Sequence, residues 1–377
     1  MPWKDASAMS LRSEFIALAS GQGTNLSELA RRFEISRKTA YKWLARARAG
    51  ELPADRSRRP KSSPQRAAMA LEAAIVDLRT AHPQWGARKL ARVLHNRHFP
   101  GVPALSTITD ILRRHGLIEP SASAQRTACK RFEHPSPNDL WQMDFKGTII
   151  VGQGTCDPLT ALDDHSRYNL VLRATTSQRG EIVQNALTDA FRRYGLPRCI
   201  NTDNGNPWGV PSGRSSDLST FAIWLVRVGI HLSWSAPGHP QTNGKEERFH
   251  RSFKAEVLQG RTFVDLAHAQ RAFDEWRTIY NEVRPHEGID LAVPADRYQP
   301  SPRPFPEVLP AIEYAPQDVV LKVDARGRTR LQHYDFVVST ALGGHYIAAR
   351  PRDGEDGVFD LYFSHQKMGE IDLNDRR

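Results

Sequence analysis

Cysteines are scarce in this sequence, and long apolar runs are absent. The 377 residues contain three cysteines, Cys129, Cys156 and Cys199, and none of them forms a C-x-x-C pair. We therefore expect neither a disulfide framework nor a cysteine zinc site, which suits a reducing cytosol. No stretch approaches the roughly 18 apolar residues of a membrane helix, and the N-terminal MPWKDASAMSLRSEF lacks the apolar core of a signal peptide. We expect a cytoplasmic protein with no membrane partner.

Acidic residues are too few in the first third of the chain to balance the basic ones. The formal net charge is +10, but residues 1–135 contain 24 Lys/Arg against 11 Asp/Glu, a net +13, so the remainder carries −3. A basic segment of this kind indicates a polyanionic partner, most simply nucleic acid, with a soluble basic surface as the alternative. The length predicts two to four domains, at roughly 100 to 200 residues each.

The stretch TNLSELARRFEISRKTAYKWLARARAG predicts two short helices across a tight turn. Asn25 followed by Glu28 resembles a capping box, and Ser36 is a candidate N-cap for the second helix. Two helices joined in this way predict a helix-turn-helix domain over residues 1–55.

The second of these helices would bury Ala40 and Leu44. The side chains that it would present to the major groove of DNA are Arg37, Lys38, Tyr41 and Lys42. A helical hairpin with a charged face is the alternative.

A second helical module is expected over residues 65–120, after a linker rich in Pro, Ser and Arg. Trp85 would be buried, Gly86 would form a turn, and Ser106 would cap the helix TITDILRRHGLI. The module is interpreted either as a second helix-turn-helix, with or without a wing, or as a dimerising helical pair.

The pattern changes to mixed α/β after residue 136. Two strand-rich stretches, LWQMDFKGTIIV and TALDDHSRYNLVLRATT, precede an alternation of helices and strands, which predicts an α/β layer domain over residues 136–298. Five prolines between positions 300 and 310 predict an extended linker. Residues 311–377 contain short strands separated by glycines, which predict a small SH3-like β-barrel. The expected fold class is therefore multidomain: all-α modules, an α/β core and a small β domain.

Three acidic residues stand at special places in the α/β domain. Asp144 lies inside a predicted strand, where an unpaired acid is costly. Asp203 lies at a strand end in NTDNG, and Glu247 lies near the start of the last core helix. Each of them alone has a structural explanation, namely a backbone hydrogen bond, an Asx turn or the helix dipole. Together they suit a two-metal site for phosphoryl transfer, which needs hard oxygen ligands.

The stretches WQMDFKG, LDDHSRY, NTDNG, HPQTNGKEERFHRSFK and YNEVRPHEGI follow one another in this order. With them the chain resembles the bacterial insertion-sequence transposases that have a retroviral integrase-type core, members of the DDE superfamily. The resemblance covers almost the whole chain and implies an RNase H-like fold for residues 136–298. It implies that Asp144, Asp203 and Glu247 are the catalytic residues and the ligands of two Mg²⁺ ions, for which Mn²⁺ would substitute.

The same resemblance implies the reaction and the partners. The protein would bind the terminal inverted repeats of a mobile element, cleave the ends by Mg²⁺-dependent hydrolysis and join the 3′ hydroxyls to target DNA. Its partners would be double-stranded DNA and further copies of itself, as a homodimer or higher oligomer, at the bacterial nucleoid. The alternatives are a DNA-binding regulator of transposition that does not cut, an RNase H-like nuclease without strand transfer, and a structural basic protein.

Two adjacent glutamates compete for the role of metal ligand. Relatives have a Lys or Arg seven residues after the catalytic glutamate, and Lys254 stands seven residues after Glu247. Arg248, Arg251 and Lys254 would then contact DNA. Glu246 lies about 100° around the helix from Glu247 and is expected to be a surface charge.

The chain departs from the family pattern in one interval. Asp203 and Glu247 are 44 residues apart, which is longer than usual, and we assign the excess to the loop NPWGVPSGRSSD. Asp163 and Asp164 are rival carboxylates that we expect to be structural. His239 and His286 are also expected to be structural.

Overall fold

In the computed structural model the chain forms two units, Met1–Arg66 and Ala67–Arg377. The residues that the structure describes are 8–55, 67–118, 133–203, 205, 207–209, 218–234 and 244–374. None of the helices in these ranges is both long enough and apolar enough to cross a lipid bilayer.

The described part of the first unit, residues 8–55, contains three helices, and side-chain caps begin the second and the third. The helices are α1 (Ala8–Ala19), α2 (Leu26–Arg32) and α3 (Arg37–Arg48). Asn25 accepts hydrogen bonds from the backbone N–H groups of α2, and Ser36 accepts one from the N–H of Thr39. Both predicted caps are confirmed, as is the burial of Ala40 and Leu44. Helix α1 was not predicted; its Phe15 completes the small core.

The second unit begins with three more helices. They are α4 (Met69–Ala81), α5 (Ala87–Asn96) and α6 (Leu105–Arg114). Trp85 is fully buried, as predicted. The predicted cap at Ser106 is wrong, because α6 already begins after Ala104, whose side chain cannot cap a helix. The apolar core of these helices also contacts Ile279 and Val283, so the module packs against the α/β domain.

The α/β domain is built on one mixed sheet. Its strands are β1 (Leu140–Phe145), β2 (Ile149–Val151), β3 (Gly154–Asp163), β4 (Asn169–Thr175), β5 (Cys199–Thr202) and β6 (His231–Trp234). The spatial order is β4-β3-β1-β5-β6, with β2 also paired to β3. The β3 strand pairs antiparallel with β1, β2 and β4, whereas β1, β5 and β6 run parallel.

Helices cover both faces of this sheet. They are α7 (Gly180–Tyr194), α8 (Thr220–Arg227), α9 (Gly244–Phe253), α10 (Leu266–Glu282) and α11 (Pro294–Arg297), with a π-helical turn at Lys254–Leu258 and a 3₁₀ turn at Glu287–Ile289. Trp141 of β1 packs in the core with α7 and α8. Leu162 of β3 packs in the opposite core with Phe249, Phe253 and α10. The domain is therefore a three-layer α/β/α structure with β1 near its centre.

The proline-rich segment after α11, predicted as an extended linker, also packs against the α/β domain. Its backbone is extended, but the N–H of Ser301 donates to the carbonyl of Tyr194 at 2.7 Å, and Arg303 accepts from Leu196 at 2.8 Å. Phe305 packs against the core. Proline prevents regular structure without preventing packing, so the segment forms a strap across the α/β domain.

The C-terminal part consists of short antiparallel strands. They are β7 (Val319–Lys322), β8 (Arg328–Leu331), β9 (Tyr334–Val337), β10 (Tyr346–Pro351), β11 (Val358–Phe363) and β12 (Gln366–Asp372), with a 3₁₀ turn at Thr340–Leu342. Four of them form the sheet β12-β11-β10-β7, and β8 pairs with β9. These pairings do not close the strands of residues 311–374 into the predicted barrel. The sheets share a core with Ala222, Ile223 and Val226 of α8.

Candidate active site

Asp144 lies near the carboxyl end of β1. Its carboxyl oxygen Oδ1 accepts the backbone N–H of Phe145 at 2.7 Å, and 31% of the side chain is exposed. Burial raises the pKa of Asp144 to about 6, against the effect of that hydrogen bond. The charges of Asp203 and Glu247 raise this pKa further, and Lys146 opposes them. The Asp144 carboxyl is therefore within electrostatic range of both other predicted acids.

Asp203 follows β5, which runs parallel to β1. Gln142 pairs with Asn201, so Asp144 and Asp203, two residues further along, leave the sheet at the same edge. Asp203 is exposed, and its Oδ1 accepts the backbone N–H of Gly205 at 3.1 Å. The parallel pairing of β1 and β5 thus places two of the predicted acids side by side.

Glu247 supplies the third carboxyl from the first turn of α9 and is exposed to solvent. The three predicted acids therefore come from a strand, a strand end and a helix, and they form one electrostatic neighbourhood. No group of three or more carboxylate, imidazole or thiol side chains within the described ranges is arranged to hold a metal ion. The charges of Asp203 and Glu247 act on Asp144, but these three acids do not form such a metal-holding group in the described residues.

Glu246 is fully buried, so the expectation of a surface charge is wrong. Helix α9 packs on the sheet through Glu246, Phe249 and Phe253, all of which are buried. Burial, followed by the nearby charge of Asp144, raises the pKa of Glu246 well above its ordinary value. The spacing i, i+3, i+7 from Glu246 to the two phenylalanines was the sequence signal for this buried face.

Two further polar side chains complete this buried region, and neither was predicted. Thr160 of β3 lies directly opposite Asp144 in the strand pairing and is fully buried. The Nε2 atom of His250 lies 2.9 Å from the Thr160 hydroxyl oxygen, and its Nδ1 lies 3.9 Å from Oδ2 of Asp144. Burial, aided by the charge of Lys146, lowers the pKa of His250 to about 3. The imidazole is therefore neutral at physiological pH.

Asp163 and Asp164 are buried in structural contacts. Asp163 accepts hydrogen bonds from the backbone of Asn138 and from the backbone and hydroxyl of Ser166. Asp164 accepts from the backbone of His134 and forms a buried ion pair with Lys245, while Gln142 also donates to it.

Of the two candidate histidines in loops, His286 makes its described contacts away from the three acids. His286 is buried, and its Nε2 lies 3.1 Å from the carbonyl oxygen of Tyr280. Burial and the nearby Arg284 lower the pKa of His286 well below its ordinary value, so this side chain is neutral. His239 lies outside the described residues.

The basic residues predicted to meet DNA near the site are exposed along one side of α9. They are Arg248, Arg251 and Lys254. Arg248 also lies 3.7 Å from Glu287. Lys254 begins the π-helical turn, a feature that is often found at functional sites.

The residues predicted to contact DNA in the first unit, three of them basic, are also exposed. They are Arg37, Lys38, Tyr41 and Lys42 of α3. Trp43 is buried behind them, and the charged ends of Arg12, Lys42 and Arg46 lie over its ring at 4.5, 5.3 and 4.6 Å. Helix α3 therefore presents a positively charged face, and the buried ring of Trp43 packs beneath part of it through cation–π contacts.

The long loop after Asp203 begins against the sheet. Trp208 is buried and stacks on Phe145, with ring centroids 5.6 Å apart, and it also meets Phe221 edge to face. The loop is thus anchored beside the strand that bears Asp144. Residues 210–217 lie outside the described ranges.

Five family models match the chain. Two models described as integrase core domain match residues 134–240 and 228–294. A homeodomain-like model matches residues 39–112, and a helix-turn-helix model matches residues 12–61. The model of the IS481 family transposase C-terminal domain matches residues 318–377.

The curated relatives to which the chain is similar include proteins of insertion elements. A protein of insertion element IS476 from Xanthomonas euvesicatoria is 29% identical over 62% of this chain. The transposase for insertion sequence element IS904 from Lactococcus lactis is 27% identical over 44% of it. Together these matches support a bacterial insertion-sequence transposase with an integrase-type core.

The matches to these relatives are partial. The alignments span 65% of the length of the Xanthomonas protein and 63% of the length of the Lactococcus protein. Among solved structures, a chain of a simian T-cell lymphotropic virus intasome aligns with 78% of this chain and 95% of its own length. Its TM-score is 0.40 and its identity is 14%, a likeness too low to carry an argument about function.

Proposed function

We propose that this chain is a transposase that binds the terminal inverted repeats of its element, cleaves the ends and joins them to target DNA. The supporting observation is that Asp144 and Asp203 lie at the carboxyl ends of the parallel strands β1 and β5, where the charge of Glu247 on α9 also acts on Asp144. This arrangement occurs in a chain that has the domain content of the insertion-sequence transposases.

The donor chemistry of the three acids suits divalent metal ions. Carboxylate oxygens are the ligands that Mg²⁺ prefers, and Mn²⁺ accepts the same donors. The raised pKa of Asp144 reflects burial and two neighbouring negative charges, which a bound cation would compensate. We therefore propose that Asp144, Asp203 and Glu247 hold two Mg²⁺ ions. Two bound ions would activate the attacking water or hydroxyl and stabilise the leaving oxygen.

The protein's own groups position and neutralise the DNA. Arg248, Arg251 and Lys254 would pair with phosphates near the scissile bond. In the first step a water oxygen bonds to phosphorus, and the bond to the 3′ oxygen of the element end breaks and leaves a 3′ hydroxyl. In the second step that hydroxyl bonds to a target phosphorus and displaces a target 3′ oxygen. Both steps are direct displacements, so no side-chain nucleophile is required.

The remaining parts of the chain are assigned to DNA binding and assembly. Residues 1–55 and 65–120 would bind the terminal repeats, 136–298 would be catalytic, and 311–377 would be an accessory β domain. Because two ends must be brought together, we propose a homodimer or higher oligomer on DNA. The protein would act at the nucleoid in the bacterial cytoplasm.

The test of this proposal is a cleavage and joining assay with the full chain. A labelled duplex bearing the terminal repeat of the source element is incubated with protein and Mg²⁺ or Mn²⁺, with and without chelator. We expect metal-dependent nicking at the end, followed by products joined to target DNA. Nicking without joining would support a nuclease instead. Tight binding of the end with no nicking in either metal would support a regulator.

Helix α3 gives a prediction about DNA affinity. The double variant Arg37→Ala/Lys38→Ala should bind the terminal repeat more weakly, because it loses two phosphate-neutralising charges. The slope of log affinity against log salt should become shallower by about 2. The measurement is fluorescence anisotropy between low and moderate salt. The exposed Arg271 of α10 serves as the control: if Arg271→Ala gave the same change per charge, the proposed role of α3 would be wrong.

Gly205 gives a prediction about the site itself. A Cβ at this position would lie 3.3 Å from both carboxylate oxygens of Asp203, so those oxygens would have to shift. Since a misplacement of about 1 Å can cost a factor of about 100 in rate, we expect Gly205→Ala to slow cleavage several-fold, with melting unchanged. A Cβ at Gly154 would meet only ordinary contact, at 3.9 Å. Equal rates for Gly205→Ala and Gly154→Ala would contradict this role for Gly205.

A further inference from the structure

Two buried polar bridges connect β1 with α9, and each passes through a residue of β3 or of the turn after it. The first is centred on Thr160 and the second on Asp164, whose side chains are 0% and 1% exposed. The two connected elements carry Asp144 and Glu247.

Thr160 joins the backbone of Asp144 to the residue next to Glu247. Its hydroxyl donates to the carbonyl oxygen of Asp144 at 2.9 Å. The same hydroxyl oxygen lies 3.0 Å from Oε2 of Glu246 and 2.9 Å from Nε2 of His250. One hydroxyl in a dry interior thus holds the strand at Asp144 and the helix at two points one turn apart.

Asp164 makes the second connection, at Lys245 near the start of α9. Its Oδ1 accepts from the side-chain amide of Gln142 at 2.8 Å and also from the ammonium of Lys245. Its Oδ2 accepts the backbone N–H of His134 at 2.8 Å. Gln142 stands two residues before Asp144, on the same face of β1, and Lys245 stands two residues before Glu247. The bridge therefore ends on the same strand and helix as the first one.

The placement of the bridges has a consequence for the carboxyls. Helix α9 also rests on the sheet through aromatic side chains, and apolar contacts are not directional. Hydrogen bonds and ion pairs in a buried interior have defined lengths and angles. Two such bridges, one at Lys245 and one at Glu246 and His250, would hold the helix against both sliding and rotation.

We propose that Thr160 and Asp164 are positioning residues that set the separation of the Asp144 and Glu247 carboxyls, and with it the affinity for divalent metal. Neither residue touches DNA or metal in this role. The inference rests on the proposed metal-dependent function. Outer partners of metal ligands typically affect metal affinity or activity by about 10- to 100-fold.

The experiment measures Mn²⁺ binding by electron paramagnetic resonance on the full chain, alongside melting and end cleavage. The test variants are Thr160→Val, which replaces the hydroxyl by a methyl group, and Asp164→Asn, which removes the charge and one acceptor oxygen. Thr160→Ser is the conservative variant. Thr175→Val is the matched control, because Thr175 is also buried and its hydroxyl donates to a backbone carbonyl, that of Asp157, at 2.6 Å.

We expect Thr160→Val and Asp164→Asn to weaken Mn²⁺ binding by about 10-fold or more. Thr160→Ser and Thr175→Val should bind Mn²⁺ like the wild type, although Thr175→Val should melt as early as Thr160→Val. If Thr160→Val does not fold, Asp164→Asn decides alone.

Three results would overturn the inference. Wild-type Mn²⁺ affinity in the folded test variants would leave the proposed function intact and remove the positioning role. Equal weakening in Thr160→Val and Thr175→Val would reduce the first bridge to general packing. A wild type whose Mn²⁺ binding is unaffected by Asp144→Asn would overturn the proposed function as well.

Discussion

Glu247→Gln should slow end cleavage and strand transfer by about 10³-fold, a loss of about 4 kcal/mol of transition-state stabilisation. An amide carries no negative charge and has one oxygen donor fewer, so it is a poor ligand for a hard divalent ion. Glu247 is exposed on α9, and an exposed Glu→Gln change usually alters stability by less than about 0.5 kcal/mol. Binding of the terminal repeat should persist. The measurement is the single-turnover rate of nicking and joining at saturating protein.

Variants of two other glutamates serve as controls for this prediction. Glu275 is exposed on α10 away from the acids, and Glu275→Gln should retain wild-type rates. Glu246→Gln separates the two adjacent candidates, because a glutamine can still hydrogen-bond to Thr160. A larger loss in the Glu246 variant than in the Glu247 variant would reverse the assignment of the catalytic glutamate.

Elements set by local chemistry could be predicted from the sequence. The caps at Asn25 and Ser36 depend on a side chain and the backbone within three residues, and both were found where predicted. Periodicity and turn residues predicted three strands, a helix, a strand, a helix, a strand and a helix for the α/β core, and the structure has this order with four strands before α7. In contrast, Ser106 was predicted as an N-cap from its residue type alone. The helix begins at Leu105, so Ser106 lies inside its first turn.

Features set by tertiary packing were harder to predict from the sequence. The proline-rich strap shows no periodicity, and its contacts with Tyr194 and Leu196 reach across about a hundred residues. The strands of the C-terminal part were partly predicted, but strand pairing depends on long-range partners, so the expected closed barrel did not follow from strand spacing.

In the candidate site, too, local features could be predicted from the sequence and long-range proximity could not. The three acids were selected from their places on a strand, a strand end and a helix, but their proximity depends on β1 lying between β3 and β5. That order is not visible in the sequence. Glu246 was wrongly predicted to be exposed because the faces of the helix were assigned from the basic residues Arg251 and Lys254. The buried face is marked instead by Phe249 and Phe253, which lie on the same side as Glu246.

Arg284→Ala should lower the free energy of unfolding by about 3 kcal/mol, the lower end of the usual cost of breaking a buried ion pair. Nε of Arg284 donates to Glu256 at 3.0 Å, and the two side chains are 9% and 10% exposed. Arg284 also donates to the hydroxyl of Ser252 at 3.0 Å, so it holds the end of α9 and the turn after it. Lys89 lies within range of the Glu256 charge and would compensate part of the loss. The measurement is urea unfolding of the full chain.

The double variant Arg284→Ala/Glu256→Gln identifies the cause of that loss. The stranded charge on Glu256 is the main cost if the pair matters electrostatically, so neutralising it should recover part of the lost stability. A glutamine at position 256 would still accept from the indole N–H of Trp276, which donates to Glu256 at 2.9 Å. If the double variant were no more stable than Arg284→Ala, the loss would come from the packing of Arg284 over the ring of Tyr280, 5.6 Å away. The buried ion pair would then contribute little to holding the end of α9.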